Sequence, residues 1–280
     1  MVDQADRVAG SRVGSTCVTG VQSAVRFRGS DLAVRCSGDG VPVGYLHGPL
    51  GALGDNPLLA ALDDLGGMAS IAPELPGFGG SPECADLRGI YDWVVATSEI
   101  VDACDLAGRT VVASSLGAML ALEVAAVRPE AFAHLILIAP LGLWDDDDPV
   151  ADTLGVTLRQ QRELYTANPG ATAPFFDDDG GLPVANQVSQ RVERYVARAT
   201  AASLTWPIPD FGLDTRIHRV TCPVTLIWGR EDRVSRVSYL DRFVASLPNV
   251  KATHVIDGAG HLVEWDRPEE VAKIVAAVAR

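Results

Sequence analysis

Three residues far apart in the chain have types and settings suited to nucleophilic catalysis. Ser115 stands in Val111-Val112-Ala113-Ser114-Ser115-Leu116-Gly117-Ala118. The spacing predicts an apolar strand that turns tightly into a helix. A nucleophile exposed on such a turn needs a strained backbone, and the strain is tolerable only when the residues two before and two after are small. Ala113 and Gly117 meet that need, although the full pattern G-x-S-x-G has glycine where Ala113 stands. The free N–H groups at the start of the helix favour a developing anion. The plainer alternative is a serine that caps a buried helix.

His261 ends the run Asp257-Gly258-Ala259-Gly260-His261. A glycine-rich loop after a strand places a histidine to reach a cleft, and an imidazole with an intrinsic pKa near ~6.5 suits proton transfer at neutral pH. Alone, it would read as a solvated surface histidine. His47, His134, His218 and His254 lack this setting. Asp232 lies in Trp228-Gly229-Arg230-Glu231-Asp232, just beyond an apolar strand. A carboxylate there would hold the imidazole in one tautomer and stabilise its charged form. A turn aspartate is the ordinary reading, and Glu231 next door is not excluded by spacing. The chain order Ser115, Asp232, His261 is one of those known for a Ser-His-Asp triad. All three follow predicted strands, where the loops of open parallel sheets gather their ligands.

The elements that must position them are legible as period and punctuation. Residues 21–28 and 32–36 alternate apolar and polar around Gly29-Ser30-Asp31, a predicted hairpin, and 41–46 is a third strand. Pro57 at the first helical position, after Asp55 or Asn56 as cap, opens a helix that runs to 65. Residues 68–72 form a short strand that ends in a loop rich in proline and glycine, and helical spacing follows over 86–106. The apolar runs 110–113 and 134–139, with a helix over 118–127 between them, predict a parallel sheet covered on both faces. Further strands are predicted at 223–228 and 252–256, and helices at 238–246 and 269–279. Between 141 and about 213 the strand–helix rhythm stops, with helix-like stretches only at 157–165 and 184–202.

Composition narrows the function classes. Hydrophobic residues are 48% and charged residues 21%, so a packed core is expected rather than disorder. The net charge of −13 disfavours nucleic acid and anionic membrane surfaces as partners. No apolar run approaches the ~18 residues of a membrane span. The five cysteines are widely spaced without a C-x-x-C, which suggests neither a disulfide framework nor a zinc cluster, and a reduced cytoplasmic setting is the default. The acidic runs 145–148 and 177–179 read as solvated surface.

Taken together, His47-Gly48-Pro49, Leu75-Pro76-Gly77-Phe78-Gly79-Gly80-Ser81, the turn from Ala113 to Gly117, the segment from Trp228 to Asp232 and that from Gly258 to His261 resemble the α/β-hydrolase superfamily, in its lid-bearing serine hydrolase branch. The resemblance runs from about residue 21 to the end of the chain. It implies an α/β fold, with a mostly parallel central sheet flanked by helices and a helical cap inserted after the sixth strand. Residues 21–140 and 214–280 would form the core and 141–213 the cap; residues 1–20, mixed, small and polar, read as a poorly ordered leader or a tag-like extension. By the same resemblance Ser115 is the nucleophile, Asp232 the acid and His261 the base, with no metal and no cofactor. The oxyanion would be held by the N–H of Leu116 and by that of the residue after His-Gly. That residue is Pro49, which has no N–H, so either Leu50 supplies the donor or the oxyanion hole is incomplete.

The expected substrate is a small, largely apolar, neutral carbonyl compound (an ester, thioester or lactone, or one with a carbon–carbon bond between carbonyls), cleaved through an acyl-enzyme. Trp144, Phe175, Phe176 and Trp206 are candidate pocket residues. Serine rather than aspartate at the elbow argues against the epoxide-hydrolase and dehalogenase relatives. The competing reading, fed by Pro49, is a small-ligand binder without turnover, or a cyclase or acyltransferase on the same fold. The chain is expected to act as a monomer or homodimer.

Overall fold

A computed structural model describes residues 21–51, 56–170 and 184–280. Their centre is an eight-stranded sheet of order β1-β2-β4-β3-β5-β6-β7-β8. The strands are β1 (Val21–Phe27), β2 (Ser30–Ser37), β3 (Gly40–Leu46), β4 (Gly67–Pro73), β5 (Arg109–Ser114), β6 (Phe132–Ile138), β7 (Val224–Gly229) and β8 (Val250–Ile256). β1 and β2 form the expected hairpin, with Phe27 opposite Ser30. The turn is two residues, Arg28 and Gly29, both at positive φ, which suits the right-handed strand twist. β2 also pairs antiparallel with β4; from β4 to β8 every pairing is parallel.

The continuous apolar strands are buried on two sides by alternation. Val111, Ala113, Leu135, Leu137, Leu226 and Trp228 join one core cluster with α2 (Ile90–Ala103) and α3 (Ser115–Val127). Val112, Ile136, Ile138 and Ile227 face the other cluster, with α1 (Pro57–Leu65) and the C-terminal helix Pro268–Ala279. This period of two within an unbroken apolar run is what a doubly covered sheet requires. The α1 cap is Asn56, whose side chain accepts from Leu58 N–H at 3.0 Å. α2 starts later than the pattern predicts because Asp92 accepts the N–H groups of Arg88 and Gly89, both at 3.1 Å, and so fixes the first turn.

Between β6 and β7 lie α4 (Leu158–Tyr165), α5 (Val184–Thr205) and two short turns of 3₁₀ helix. Ala197, Ala201 and Leu204 of α5 are buried in the larger core cluster. The segment's return to the sheet is tied down by Arg216, whose guanidinium donates to buried Glu123 of α3 at 2.6 Å. After β7 come α6 (Ser238–Ser246), β8, the four-residue α7 (Val263–Asp266) and α8 (Pro268–Ala279). α7 has no signal in the sequence pattern. Among the described residues no helix is long and apolar enough to cross a membrane.

Two expectations are corrected. Cys36 on β2 is disulfide-bonded, whereas Cys84, Cys104 and Cys222 are free. Spacing along the chain says little about which distant thiols a fold brings together. The aspartate run 145–148 is only half solvated. Asp148 takes the Ser238 hydroxyl at 2.5 Å, and Asp145 and Asp148 pair with Arg242 and Arg236 on or beside α6. Asp146 and Asp147 are exposed.

Candidate active site

Ser115 is the first residue of α3 and has φ +49°, a left-handed conformation that a non-glycine residue adopts only under constraint. The constraint is packing beneath it. A Cβ on Gly117 would lie 2.3 Å from the carbonyl oxygen of His47 and 2.5 Å from that of Leu46, so only glycine lets the helix press onto the end of β3. Ala113 pairs with Leu46 across the β5–β3 ladder and is fully buried.

The structure brings the three predicted residues together. Ser115 Oγ lies 2.7 Å from His261 Nε2, and His261 Nδ1 lies 2.9 Å from Asp232 Oδ2. All three are buried. Asp232 is fixed by its other oxygen, which accepts from Val234 N–H at 2.8 Å and Ser235 N–H at 3.0 Å. Nδ1–H therefore donates to the carboxylate, and Nε2 is left with a lone pair facing the serine hydroxyl. Glu231, the alternative acid, is exposed and accepts from Ala259 N–H at 3.0 Å. The loop that carries His261 lies against the end of β7 because residue 229 is glycine: a Cβ there would sit 2.1 Å from the Gly260 carbonyl oxygen.

The loop after β3 is set by His47, which is buried. Its Nε2 accepts from Leu75 N–H at 3.0 Å, so its proton is on Nδ1, which donates to the Gly48 carbonyl at 2.8 Å. The same carbonyl closes a turn by accepting Gly51 N–H at 3.1 Å. Burial holds the His47 pKa below its usual value, consistent with this neutral form. The turn bond uses the N–H of Gly51, which leaves that of Leu50 outside it. Leu116 is fully buried in the first turn of α3.

Ser115 and His261 line a crevice of about 20 Å³ with Pro49, Leu154, Tyr165, Ala201 and others. Pro49, Leu154, Tyr165 and Ala201 also line a larger cavity of about 190 Å³ beneath α5. Its walls include Leu50 and Leu158, and its charged members are Arg191, Arg194 and Arg198. Of the predicted aromatic lining, Trp144 and Trp206 are described, and neither lines this cavity or the crevice. Trp144 lines a separate surface cleft with Leu143, Asp210 and Arg242, and its indole N–H donates to Asp146 at 2.8 Å. Trp206 is 58% exposed and lines neither space. Both lie just outside helices, Trp144 in the loop after β6 and Trp206 just past the end of α5, where helical spacing says nothing of a side chain's direction. Phe175 and Phe176 lie outside the described residues.

Other residues at the site carry no sequence signal that singled them out. Tyr165, at the end of α4, stacks on the His261 ring with centroids 5.8 Å apart. Glu264 and Asp266, on α7, are buried just behind His261. Glu264 accepts from the Tyr45 hydroxyl at 3.3 Å, and Tyr45 in turn accepts from Asn56 at 3.3 Å. Burial pushes the Glu264 carboxyl above the usual carboxylate range. Two acids within five residues of a histidine were the available hint.

The geometry has counterparts among known proteins. The sequence profile of the alpha/beta hydrolase family matches residues 45–274. A 2-hydroxy-6-oxononadienedioate/2-hydroxy-6-oxononatrienedioate hydrolase 2 of Pseudomonas putida is 33% identical over 67 residues, which are 24% of this chain and 22% of that one. The corresponding hydrolase of Paraburkholderia xenovorans is 24% identical over 186 residues, 63% of each chain. Thus the matched stretches span about a fifth and just under two thirds of these curated relatives. Among solved structures, naproxen esterase from Bacillus subtilis superposes with a TM-score of 0.68 at 17% identity, covering 93% of this chain and 91% of that one. A profile that matches most of the chain, over a sheet of the order described, leads to one conclusion: the chain belongs to the alpha/beta hydrolase family.

Proposed function

We propose that the chain is a serine hydrolase that cleaves a small, largely apolar carbonyl substrate through an acyl-enzyme. The observation that carries this reading is the contact chain Ser115–His261–Asp232, whose crevice shares Pro49, Leu154, Tyr165 and Ala201 with the cavity beneath α5. Ser115 Oγ attacks the substrate carbonyl while its proton passes to His261 Nε2. The charge that develops on the imidazole is offset by Asp232, already in hydrogen bond with Nδ1. The oxyanion is held by the N–H of Leu116 and, since Pro49 has none, by that of Leu50. His261 then returns the proton to the leaving group. A water, for which the crevice beside Ser115 has room for about one molecule, attacks the acyl-serine and releases the acid. The segment between β6 and β7 acts as a cap that keeps bulk water from the acyl group.

Ester, thioester and lactone are the favoured substrates because the cavity wall is mostly apolar. Cleavage of a carbon–carbon bond between carbonyls is the second reading. The names of the curated relatives favour it. Purified protein assayed against chromogenic esters, lactones and vinylogous diketones tests the proposal. Turnover of at least one class, lost in Ser115→Ala, is expected; no turnover of any class by folded protein contradicts it and favours a binder.

A further inference from the structure

We propose that Asp266, through the exit of α4, is a positioning residue that holds His261 in register with Ser115. The inference rests on the hydrolase reading above. Asp266 ends α7 and is 7% exposed. Its Oδ2 accepts from Gly260 N–H and from Ala167 N–H, both at 2.8 Å, and its Oδ1 accepts from Asn168 N–H at 3.0 Å. One carboxylate thus joins the N–H of Gly260, the residue before His261, to Ala167 and Asn168 just past the end of α4. On the other side of His261, Leu262 N–H donates to the Tyr165 carbonyl at 2.9 Å. The backbone on both sides of His261 is therefore tied to the stretch 165–168, directly at Leu262 N–H and through the Asp266 carboxylate at Gly260 N–H. The approach is close, since a Cβ on Gly260 would lie 2.8–2.9 Å from backbone atoms of residues 165–167. The Tyr165 ring completes the cradle against the imidazole.

Three N–H donors that converge on one buried carboxylate need two acceptor oxygens without protons. An amide cannot replace it: its NH2 group would face one or two of those donors. Bonds of this kind are charge-assisted and short, so they fix geometry to tenths of an ångström. A base displaced by about 1 Å costs on the order of 10²-fold in rate.

Asp266→Asn is compared with the parent by burst titration of active sites with an activated ester, so that only competent protein is counted. The expected result is kcat per titrated site lower by about 10-fold or more, with KM within about twofold. Asp266→Glu, which keeps two acceptor oxygens, recovers part of the loss. Should Asp266→Asn give no folded protein, the per-site kcat of Asp266→Glu decides alone: a fall is expected. A purely structural role would lower the melting temperature and leave kcat per site unchanged, and that result overturns the proposal. Failure of the hydrolase reading is distinguishable, because the parent would then show no burst. The proposal is then read from the proton NMR signal of the His261 Nδ1–H bonded to Asp232: broadening or loss in Asp266→Asn supports it, and an unchanged signal refutes it.

Discussion

Two buried histidines stand beside carboxylates in this fold, and their ring nitrogens are engaged in opposite ways. His261 has Asp232 at 2.9 Å, and His47 has Glu74 at 3.8 Å. Both rings are fully enclosed. The difference lies in the second nitrogen. In His261, Nδ1 is spent on the acid and Nε2 faces a hydroxyl that can give up its proton. In His47, backbone groups consume both nitrogens, and Glu74 is engaged by Arg35 at 3.3 Å instead. Burial and a nearby carboxylate do not make a base. A free lone pair aimed at a reactive group does.

The largest effect that would sharpen this contrast is at His261. His261→Ala is expected to lower ester turnover by about 10⁴-fold or more while leaving the melting temperature within a few degrees, measured by single-turnover kinetics and thermal melts. Asp232→Asn is expected to cost somewhat less, about 10³–10⁴-fold. Glu231→Gln is expected to change kcat by less than about twofold, because its carboxylate serves only a loop N–H. A larger loss in Glu231→Gln than in Asp232→Asn would reassign the acid.

At His47 the expected loss is smaller and of another kind. His47→Asn frees the Gly48 carbonyl and loosens the loop that presents Leu50, so kcat falls about 10–10²-fold. The stability loss should also exceed that of His261→Ala, since a buried peptide N–H is left without its partner. Equal kcat losses in the two histidine variants would break the distinction.

The smallest effect is at Glu264, the buried acid that the proposed chemistry does not use. Its pKa is raised in the folded chain by burial, so between the ordinary carboxylate range and that raised value the folded chain holds a proton that the unfolded chain has released. Stability from this group is present at low pH and is lost as pH rises through that window. Glu264→Gln removes the dependence. Thermal melts from pH 4 to 8 should show the variant gaining about 2–4 °C at the top of the range and nothing at the bottom. A gain at pH 4 that vanishes at pH 8 would reverse the sign.

The sheet was legible because its strands are short apolar runs with definite ends. The unbroken apolar run 110–113 marked a strand covered on both faces, and the structure sets Val111 and Ala113 on one side and Val112 on the other. Ser115, Asp232 and His261 were legible because each follows a predicted strand, and Ser115 also has the small neighbours its turn needs. What the sequence hid was whatever depends on a single turn or a bend. The four-residue α7 is too short for a helical period, so Glu264 and Asp266 stayed out of view. Trp144 and Trp206 have the composition of a pocket wall, but the chain turns them elsewhere. His47 could be read only as shaping its loop, because its work is done by backbone groups of Gly48 and Leu75, which no side-chain pattern records.

One measurement bears most directly on the claim that Ser115 is a nucleophile activated by His261. Intact protein is treated with a fluorophosphonate and the adduct is located by peptide mass spectrometry. A single label on Ser115, absent in Ser115→Ala and slowed by orders of magnitude in His261→Ala, is the result expected. Labelling of folded protein at another residue, or at the same rate without His261, would contradict it.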